Sequence, residues 1–233
     1  MTSQPAIRVS CIVPAFNEGG RIGAVLQAVA AHPLIDEILV IDDASDDDTA
    51  EVAARTPGVT LIRQPANGGK TSALAAGFAA MRGDHVLLLD ADLIGLTARD
   101  VTALIAPVRS GRVDMTISLR GNAPWLWRAI GLDYISGERV LHRDLLPPAG
   151  ELADLPKFGF EVYLNARLVD AKARLQVVPW PGVKSPAKAV KQGVRAGLKS
   201  DAAMLHDIFL TIPADRLLHQ IVAMRRLRTP PDT

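Results

Sequence analysis

The sequence contains few of the residues that stabilise secreted proteins or span membranes. Among 233 residues there is a single cysteine, Cys11, so a disulfide framework is excluded and a reducing compartment is expected. No run of about 18 uncharged apolar residues occurs, so no transmembrane helix is predicted. The polar segment Met1–Arg8 does not read as a secretory signal. We therefore expect a cytoplasmic protein.

The chain also has few aromatic residues and almost no net charge. Only 4% of the residues are aromatic and the formal net charge is +1, so the sequence does not predict a surface that binds nucleic acid. The charge is unevenly spread, because residues 184–233 contain nine Lys and Arg against four Asp and Glu. Hydrophobic residues make up 48% of the chain, enough for one sizeable core.

Short apolar runs alternate with helical patterns over the first half of the chain. The predicted strands are Ile7–Val13, Glu37–Ile41, Val59–Arg63, His85–Leu89 and Val113–Leu119. The predicted helices between them are Gly20–Ala31, Asp46–Arg55, Gly69–Arg82 and Thr97–Val108. This alternation is typical of right-handed β-α-β units, so it predicts an α/β fold with a mostly parallel central sheet flanked by helices. Two further helices, Lys157–Val169 and Met204–Arg228, are predicted after the rhythm breaks at Arg120.

Two carboxylates, Asp90 and Asp92, follow the predicted strand His85–Leu89. Open α/β sheets bind ligands at the carboxyl ends of their strands. Two hard oxygen donors at that edge suit a divalent cation that bridges a diphosphate. A capping Asp followed by a surface Asp gives the same short pattern, so the pair alone is weak evidence for a metal site.

Polar or glycine-rich loops follow the other strands and open at the same edge. Asp42 and Asp43 end the second strand and can accept hydrogen bonds from a base or a ribose. Gly68 and Gly69 allow the backbone to approach a phosphate at a helix N-terminus, where Lys70 adds a positive charge. One crevice lined by four such loops predicts a nucleotide site.

These loops, in this order, resemble family 2 glycosyltransferases of the GT-A fold, and most of all the dolichyl-phosphate mannose and glucose synthases. The segments that carry the resemblance are Ile12–Glu18, Ile38–Thr49, Asn67–Lys70 and Leu89–Asp92. The resemblance implies a GT-A domain over residues 1–183, with a nucleotide-sugar-binding half at 1–120 and an acceptor-side half at 121–183. A basic loop and an amphipathic helical extension would then occupy residues 184–233.

The resemblance also implies a metal-dependent glycosyl transfer from a UDP- or GDP-sugar. Asp90 and Asp92 would hold Mg²⁺ or Mn²⁺, which neutralises charge on the leaving diphosphate, and Asp92 would be the more direct ligand. The residues implied at the donor are Pro14, Ala15, Asn17, Glu18, Asp42, Asp43, Gly69, Lys70, Asp90, Ala91 and Arg120. For Arg120, a surface ion pair is an equally simple alternative to a contact with the donor.

A candidate general base, Glu161, lies inside an apolar helix, where an unpartnered carboxylate is costly. The alternative is a structural ion pair with Arg139 or Arg167, and a phosphate acceptor would need no base. The resemblance extends to an acceptor-side element formed by Ser136, Gly137, Glu138 and Arg139, in which Glu138 is a second candidate base.

The acceptor stays open, including a lipid-linked one. A Gln-x-x-Arg-Trp stretch is absent, which argues against polymer synthesis. The apolar stripe Leu217, Leu218, Ile221, Val222 and Met224 has flanking arginines. Such a helix packs on its own domain or forms a homodimer, or it makes peripheral contact with an anionic membrane.

Other classes of protein fit the sequence less well. A P-loop requires glycine at position 64, where this chain has Gln64, and the Gly-x-Gly-x-x-Gly pattern of dehydrogenases is missing after the first strand. A sugar nucleotidyltransferase, or a nucleotide-sugar-binding protein that has lost catalysis, remains the alternative to a glycosyltransferase.

Overall fold

A seven-stranded sheet with helices on both faces forms the framework of the computed structural model, which describes residues 7–152, 159–186 and 212–230. The strands are β1 (Val9–Ala15), β2 (Glu37–Asp42), β3 (Val59–Arg63), β4 (His85–Leu88), β5 (Met115–Arg120), β6 (Arg139–His142) and β7 (Leu175–Trp180). The helices are α1 (Gly19–Val29), α2 (Thr49–Arg55), α3 (Gly69–Ala80), α4 (Ala98–Arg109), α5 (Trp125–Ile130), α6 (Ala149–Leu152), α7 (Gly159–Asp170) and α8 (Ala214–Arg226), with a short 3-10 turn at Arg143–Leu145.

The strand order is β3-β2-β1-β4-β6-β5-β7. β1 to β4 run parallel to one another, β6 is antiparallel to both of its neighbours, and β7 is parallel to β5. The predicted α/β class and mostly parallel sheet are confirmed. β6 and β7 are not predicted from the sequence, because they follow the irregular segment after Arg120.

Two apolar layers cover the two faces of the sheet. On one face, Ile22 and Leu26 of α1 and Val101 of α4 pack against inward-facing strand residues. On the other, Leu74 of α3 and Phe160 of α7 pack in a second cluster. Because β1 alternates its side chains between the layers, it is buried on both faces, as expected of a central parallel strand.

The predicted helices are present with shifted ends. α4 begins at Ala98 with a capping box, in which the Thr97 hydroxyl accepts from Asp100 N at 3.3 Å and Thr97 N donates to the Asp100 carboxylate at 2.9 Å. α2 begins at Thr49 and not at Asp46, because the Asp47 carboxylate accepts from the Thr49 amide and ends the preceding turn. Residues 204–211 of the last predicted helix lie outside the described residues.

The described part of that last helix is α8. The apolar stripe of α8 is only partly covered by the domain. Leu217 and Met224 are buried, whereas Leu218 and Val222 are exposed. Packing on its own domain is thereby confirmed for the inner half of the stripe. Most of the basic segment that precedes α8 lies outside the described residues.

One edge of the sheet collects the loops of interest. The carboxyl ends of β1, β2, β3 and β4 lie there, together with those of β5 and β7. Because β6 runs the other way, its beginning at Arg139 lies at the same edge. The topology therefore brings Ser136–Glu138, just before β6, beside the loop that follows β4.

Gly77 sets the distance between α3 and β1. A Cβ at this position would lie 2.7 Å from Ile12 Cγ2, which is too close for a real contact. We expect Gly77→Ala to lower the free energy of unfolding by about 1–3 kcal/mol through overpacking, measured by urea denaturation.

Gly23→Ala in α1 is the matched control for this substitution. Its added Cβ meets only Val52 Cγ1, at an ordinary 3.5 Å. Alanine in a helix interior is favoured over glycine by roughly 0.5–1 kcal/mol, so this variant should be neutral or stabilised. Equal losses in both variants would contradict the packing argument.

Candidate active site

Lys70 connects two carboxylates that the sequence places 71 residues apart. Its Nζ lies 2.8 Å from Asp90 Oδ1 and 3.3 Å from Glu161 Oε1. Lys70 is the second residue of α3, Asp90 follows β4, and Glu161 is in the first turn of α7. The predicted base and the predicted metal ligand thus meet through one ammonium group.

The charges around Lys70 favour ionised forms. Burial lowers the pKa of Lys70, but the carboxylates of Asp90 and Glu161 outweigh it and raise the pKa above its usual range. Burial likewise opposes ionisation of Asp90, and the nearby Lys70 ammonium reverses this, so the pKa of Asp90 is lowered. Both groups therefore carry their charge at neutral pH.

Asp92 lies in a different electrostatic setting. Burial, reinforced by the carboxylates of Asp90 and Glu18, raises the pKa of Asp92 to about 6. Crowded carboxylates of this kind are stabilised by a cation, and hard oxygen donors suit Mg²⁺ or Mn²⁺. Asp90 and Asp92 therefore fit as the carboxylates that would hold a divalent cation. The described residues contain no cluster of three or more His, Cys, Asp or Glu side chains arranged to hold a metal alone.

The glycine turn before α3 is bound by Asp43. The amides of Gly68 and Gly69 donate to the Asp43 carboxylate at 3.0 and 2.7 Å. Gly69 has a φ of +80°, a backbone conformation that glycine adopts without strain. The structure thus places a carboxylate where the sequence analysis predicted a phosphate on these two amides. Asp43 remains a predicted base or ribose contact through its other lone pairs.

Asp42, the last residue of β2, is completely buried. Its carboxylate accepts from the Ser45 amide at 3.2 Å and lies 3.2 Å from Arg63 Nε. The hydrogen bond that Asp42 would accept from a ribose hydroxyl stays a prediction.

The loop after β1 is locked to the loop after β2. Asn17 has a φ of 55°, its amide donates to Ser45 Oγ at 2.9 Å, and its Oδ1 accepts from Asp46 N at 2.9 Å. The Glu18 amide donates to Thr49 Oγ1 at 2.8 Å. The other predicted nucleoside residues of this strand, Pro14 and Ala15, form the end of β1 at the same edge.

The turn before β6 presses against Lys70 and Asp90. A Cβ at Gly137 would lie 2.6 Å from Lys70 Nζ and 2.8 Å from Asp90 Oδ1, so any other residue here would displace the ends of these two side chains. Beneath the turn, Glu138 Oε2 accepts from Ser136 Oγ at 2.5 Å and from Ser118 Oγ at 2.7 Å. The predicted acceptor-side element therefore lies directly against Lys70 and the predicted metal ligand Asp90.

Arg120 is a largely buried cation and not the surface ion pair that the sequence left open. Its guanidinium lies 3.3 Å from Asp133 and 3.4 Å from Glu138, and its side chain is 12% exposed. Burial lowers the pKa of Arg120, but these two carboxylates outweigh it and raise the pKa. Burial in turn raises the pKa of Asp133 and of Glu138, even though Arg120 acts against it.

Arg139 is fully buried and supports the same turn from below. It donates to Ser136 O at 2.7 Å, to Tyr134 O at 3.1 Å and to Asn165 Oδ1 at 2.7 Å. In the described part of the chain neither Arg139 nor Arg167 lies at ion-pair distance from Glu161, although the Glu161 carboxylate acts on the Arg139 guanidinium at longer range. Among the described residues the ion-pair partner of Glu161 is Lys70, and Arg167 donates instead to the carbonyls of Leu145 and Asp144.

A short strap, residues Lys184 and Ser185 after β7, is hydrogen-bonded to the loop after β4 and to the end of β5. Lys184 and Ile94 exchange backbone hydrogen bonds at 2.8 and 3.0 Å, just beyond Asp92. Ser185 is bound by Arg120 and by both side-chain atoms of Asn122. The strap thus connects the loop after β4 to the end of β5.

Several site residues were not found from the sequence. Asp133 lies three residues before the predicted acceptor-side element but is not part of it, and its carboxylate becomes important only because the fold buries it beside Arg120. Ser118 had a usable signal, since it lies two residues before Arg120 on a strand and therefore faces the same side. Ser185 and Asn122 are brought together only by the pairing of β5 with β7.

The fold, the donor-side loops and the carboxylate pair agree with one protein family. Residues 10–150 match the family described as Glycosyl transferase family 2, so this chain belongs to that family.

Individual relatives match over part of their length. The chain is 34% identical over 112 residues to glucosyl-3-phosphoglycerate synthase of Mycolicibacterium paratuberculosis, a match covering 44% of this chain and 34% of the relative. It is 35% identical over 103 residues to dolichyl-phosphate beta-glucosyltransferase of Trichomonas vaginalis, covering 39% and 31%. These matches span about a third of each curated relative.

A solved structure extends the likeness over more of the chain. Glucosyl-3-phosphoglycerate synthase from Mycobacterium tuberculosis, in complex with Mn²⁺, UDP and glucosyl-3-phosphoglycerate, superposes with a TM-score of 0.65. The sequences are 26% identical, and the match covers 80% of this chain and 74% of that chain. The GT-A fold expected from the resemblance is thereby confirmed.

Replacing Arg120 by methionine tests whether its charge compensates the buried carboxylates of Asp133 and Glu138. The variant leaves Asp133 and Glu138 buried without their cation, which costs about 3–5 kcal/mol of unfolding free energy when both are ionised. Their pKa values then rise further above the unfolded values, so stability is retained in acid and lost as the pH rises. We expect a larger loss at pH 8 than at pH 5 in urea denaturation.

Arg174→Met is the control for this pH dependence. Arg174 pairs with Asp114 at the surface, at 2.7 Å, and the hydrogen bond from Arg174 lowers the pKa of Asp114. That contribution is present throughout the range above the unfolded pKa of an aspartate. The control should therefore show a small loss of equal size at pH 5 and pH 8. The same flat profile in Arg120→Met would refute the buried-pair argument.

Proposed function

We propose that this protein transfers a glycosyl group from a UDP-sugar to a phosphate-bearing acceptor, with Mg²⁺ or Mn²⁺ at Asp90 and Asp92. The observation that carries the proposal is the meeting of Asp90, Asp92, Lys70 and Glu161 at the carboxyl edge of a parallel sheet. This edge is where α/β folds bind nucleotides. Family membership supports the same reaction class.

The donor side is supported by its own residues. The loops that carry Asn17 and Asp43 are fixed by hydrogen bonds to one another or to the glycine turn, so the crevice has rigid walls before a ligand arrives. A preformed site avoids the ordering cost of binding. Uracil is favoured over guanine because the glucosyl-3-phosphoglycerate synthase structure contains UDP.

Chemistry at the donor needs charge neutralisation on the diphosphate. When bound, the divalent cation acts as a Lewis acid on the departing oxygens. Asp90 and Asp92 would hold it, and the Lys70 ammonium, 2.8 Å from Asp90, would contact the diphosphate. Direct displacement at the anomeric carbon by an acceptor then gives inversion.

On the acceptor side, Glu161 is the candidate base that the geometry favours. Glu161 is 4% exposed and ion-paired to Lys70, so it can accept a proton from an acceptor hydroxyl once this ammonium turns to the diphosphate. Phosphate-bearing acceptors are proposed because the relatives include a phosphoglycerate synthase and a dolichyl-phosphate transferase. A lipid phosphate would need no base and leaves Glu161 an orienting role.

Where the reaction takes place stays a prediction. None of the described helices is long and apolar enough to cross a bilayer. The exposed Leu218 and Val222 of α8 are available to a membrane surface or to a second subunit, so peripheral contact and a homodimer both remain proposals, as does the cytoplasmic location.

The experiment that tests the function is a thermal-shift panel followed by a transfer assay. The protein is heated with UDP-, GDP-, CDP- or TDP-sugars in Mn²⁺, Mg²⁺ or EDTA. A ligand at about 100 times its Kd adds roughly 2.7 kcal/mol of stability. A shift that needs both metal and uridine supports the donor assignment, and transfer to 3-phosphoglycerate or to a polyprenyl phosphate then selects the acceptor. No shift with any donor overturns the proposal.

Asp92→Asn should abolish metal-dependent UDP binding without harming the fold. The amide cannot neutralise a cation, while removing one of several crowded carboxylates relieves repulsion. We expect a melting temperature in EDTA equal to or above that of the wild type, and no added shift from UDP with Mn²⁺. Asp170→Asn, at the exposed end of α7, changes the net charge equally and should keep the full shift. Retained binding in Asp92→Asn would remove the metal assignment.

A further inference from the structure

Lys70 is ion-paired with Asp90, the same carboxylate that would bind the proposed divalent cation. Its Nζ is 2.8 Å from Asp90 Oδ1, so the ammonium occupies one side of a predicted metal ligand. A divalent cation on that oxygen and a lysine ammonium at hydrogen-bond distance repel each other strongly. The two cations therefore compete for Asp90 unless something else attracts the lysine.

We propose that Lys70 is an exchangeable counter-ion, which stabilises Asp90 and Glu161 before the donor arrives and moves to the diphosphate when the cation binds. This inference rests on the proposed function and adds an order to it. The cation and the nucleotide diphosphate then bind cooperatively, because the diphosphate removes the competitor of the metal. Glu161 loses its ion-pair partner in the same event.

The side chains around Lys70 are arranged for such a movement. The Lys70 side chain is 42% exposed, whereas that of Glu161 is 6% exposed. The lysine can therefore swing outward while Glu161 stays in place. Gly137 leaves the space above Nζ free of a side chain, and a Cβ there would lie 2.6 Å from the ammonium.

Glu161 does not become an isolated buried charge after the exchange. The carboxylate also acts electrostatically on the guanidinium of Arg139, which is held by Ser136, Tyr134 and Asn165. The fixed Arg139 guanidinium reduces the cost of burying the Glu161 charge. Because it acts at longer range, it leaves the carboxylate oxygens available to an acceptor hydroxyl. Donor binding is thus coupled to exposure of the base.

The test is titration of Lys70→Met with MnCl₂ alone and then with MnCl₂ in the presence of UDP, by isothermal calorimetry. Removing the competitor should tighten Mn²⁺ binding in the absence of nucleotide by about tenfold, a typical size for a coupling between two sites. UDP should raise the Mn²⁺ affinity of the wild type more than that of the variant. By reciprocity, Mn²⁺ should promote UDP binding less in Lys70→Met.

Two further variants control for charge and for folding. Arg55→Met removes one exposed positive charge at the end of α2, at the opposite edge of the sheet, and should leave both titrations unchanged. Lys70→Gln removes the charge while keeping a polar side chain of similar length, and should repeat the Lys70→Met result. It keeps the test decisive if the apolar methionine side chain disturbs the fold.

The outcomes separate this inference from the proposed function. Mn²⁺ affinity in Lys70→Met and Lys70→Gln that is equal to or weaker than in the wild type overturns the exchange, even if sugar transfer is observed. Tighter Mn²⁺ binding with reduced UDP coupling supports the exchange. That support persists if no acceptor is glycosylated, and in that case only the proposed function fails.

Discussion

Repulsion among carboxylates at one edge of the sheet is the constraint on which the rest of the site depends. The members of this group are Glu18, Asp90, Asp92, Asp133, Glu138 and Glu161, and the cations among them are Lys70, Arg120 and Arg139. The three cations neutralise these carboxylates in two different ways. Arg120 and Arg139 are buried and fixed, whereas Lys70 is half-exposed. The deep part of the site is neutralised permanently, and the outer part carries excess negative charge that suits a divalent cation.

The antiparallel strand β6 makes this division geometrically feasible. Because it runs against its neighbours, the chain enters β6 at the ligand-binding edge and delivers Ser136–Glu138 beside Asp90. A parallel strand in that place would leave the same turn at the far edge. The buried pair of Glu138 with Arg120 then anchors the turn to β5. Mixed topology thus supplies a wall that an all-parallel sheet lacks.

The sequence predicts the donor half better than the acceptor half for a physical reason. In β1 to β4, each loop follows a strongly apolar strand, so local patterning alone places Asp43, Lys70 and Asp90 at one edge. The contacts of Lys70 with Glu161 and of Arg120 with Asp133 depend instead on long-range packing of α7 and of the segment before β6. No local pattern encodes which buried charges meet. Glu161 can be predicted as a site residue because a carboxylate in an apolar helix is unusual. Nothing in the local sequence predicts that its partner is Lys70.

The same reasoning explains why buried charge here indicates function more than stability. An ion pair inside a protein contributes little over an apolar packing of equal volume, because desolvation offsets the attraction. Asp133 Oδ1 and Glu138 Oε1 are buried without hydrogen-bond partners, so the cluster is not optimised for stability. Its effect is to hold the Gly137 turn and the Ser185 strap at fixed positions around Asp90. The fixed inner cluster therefore gives Lys70 a rigid surface against which to move.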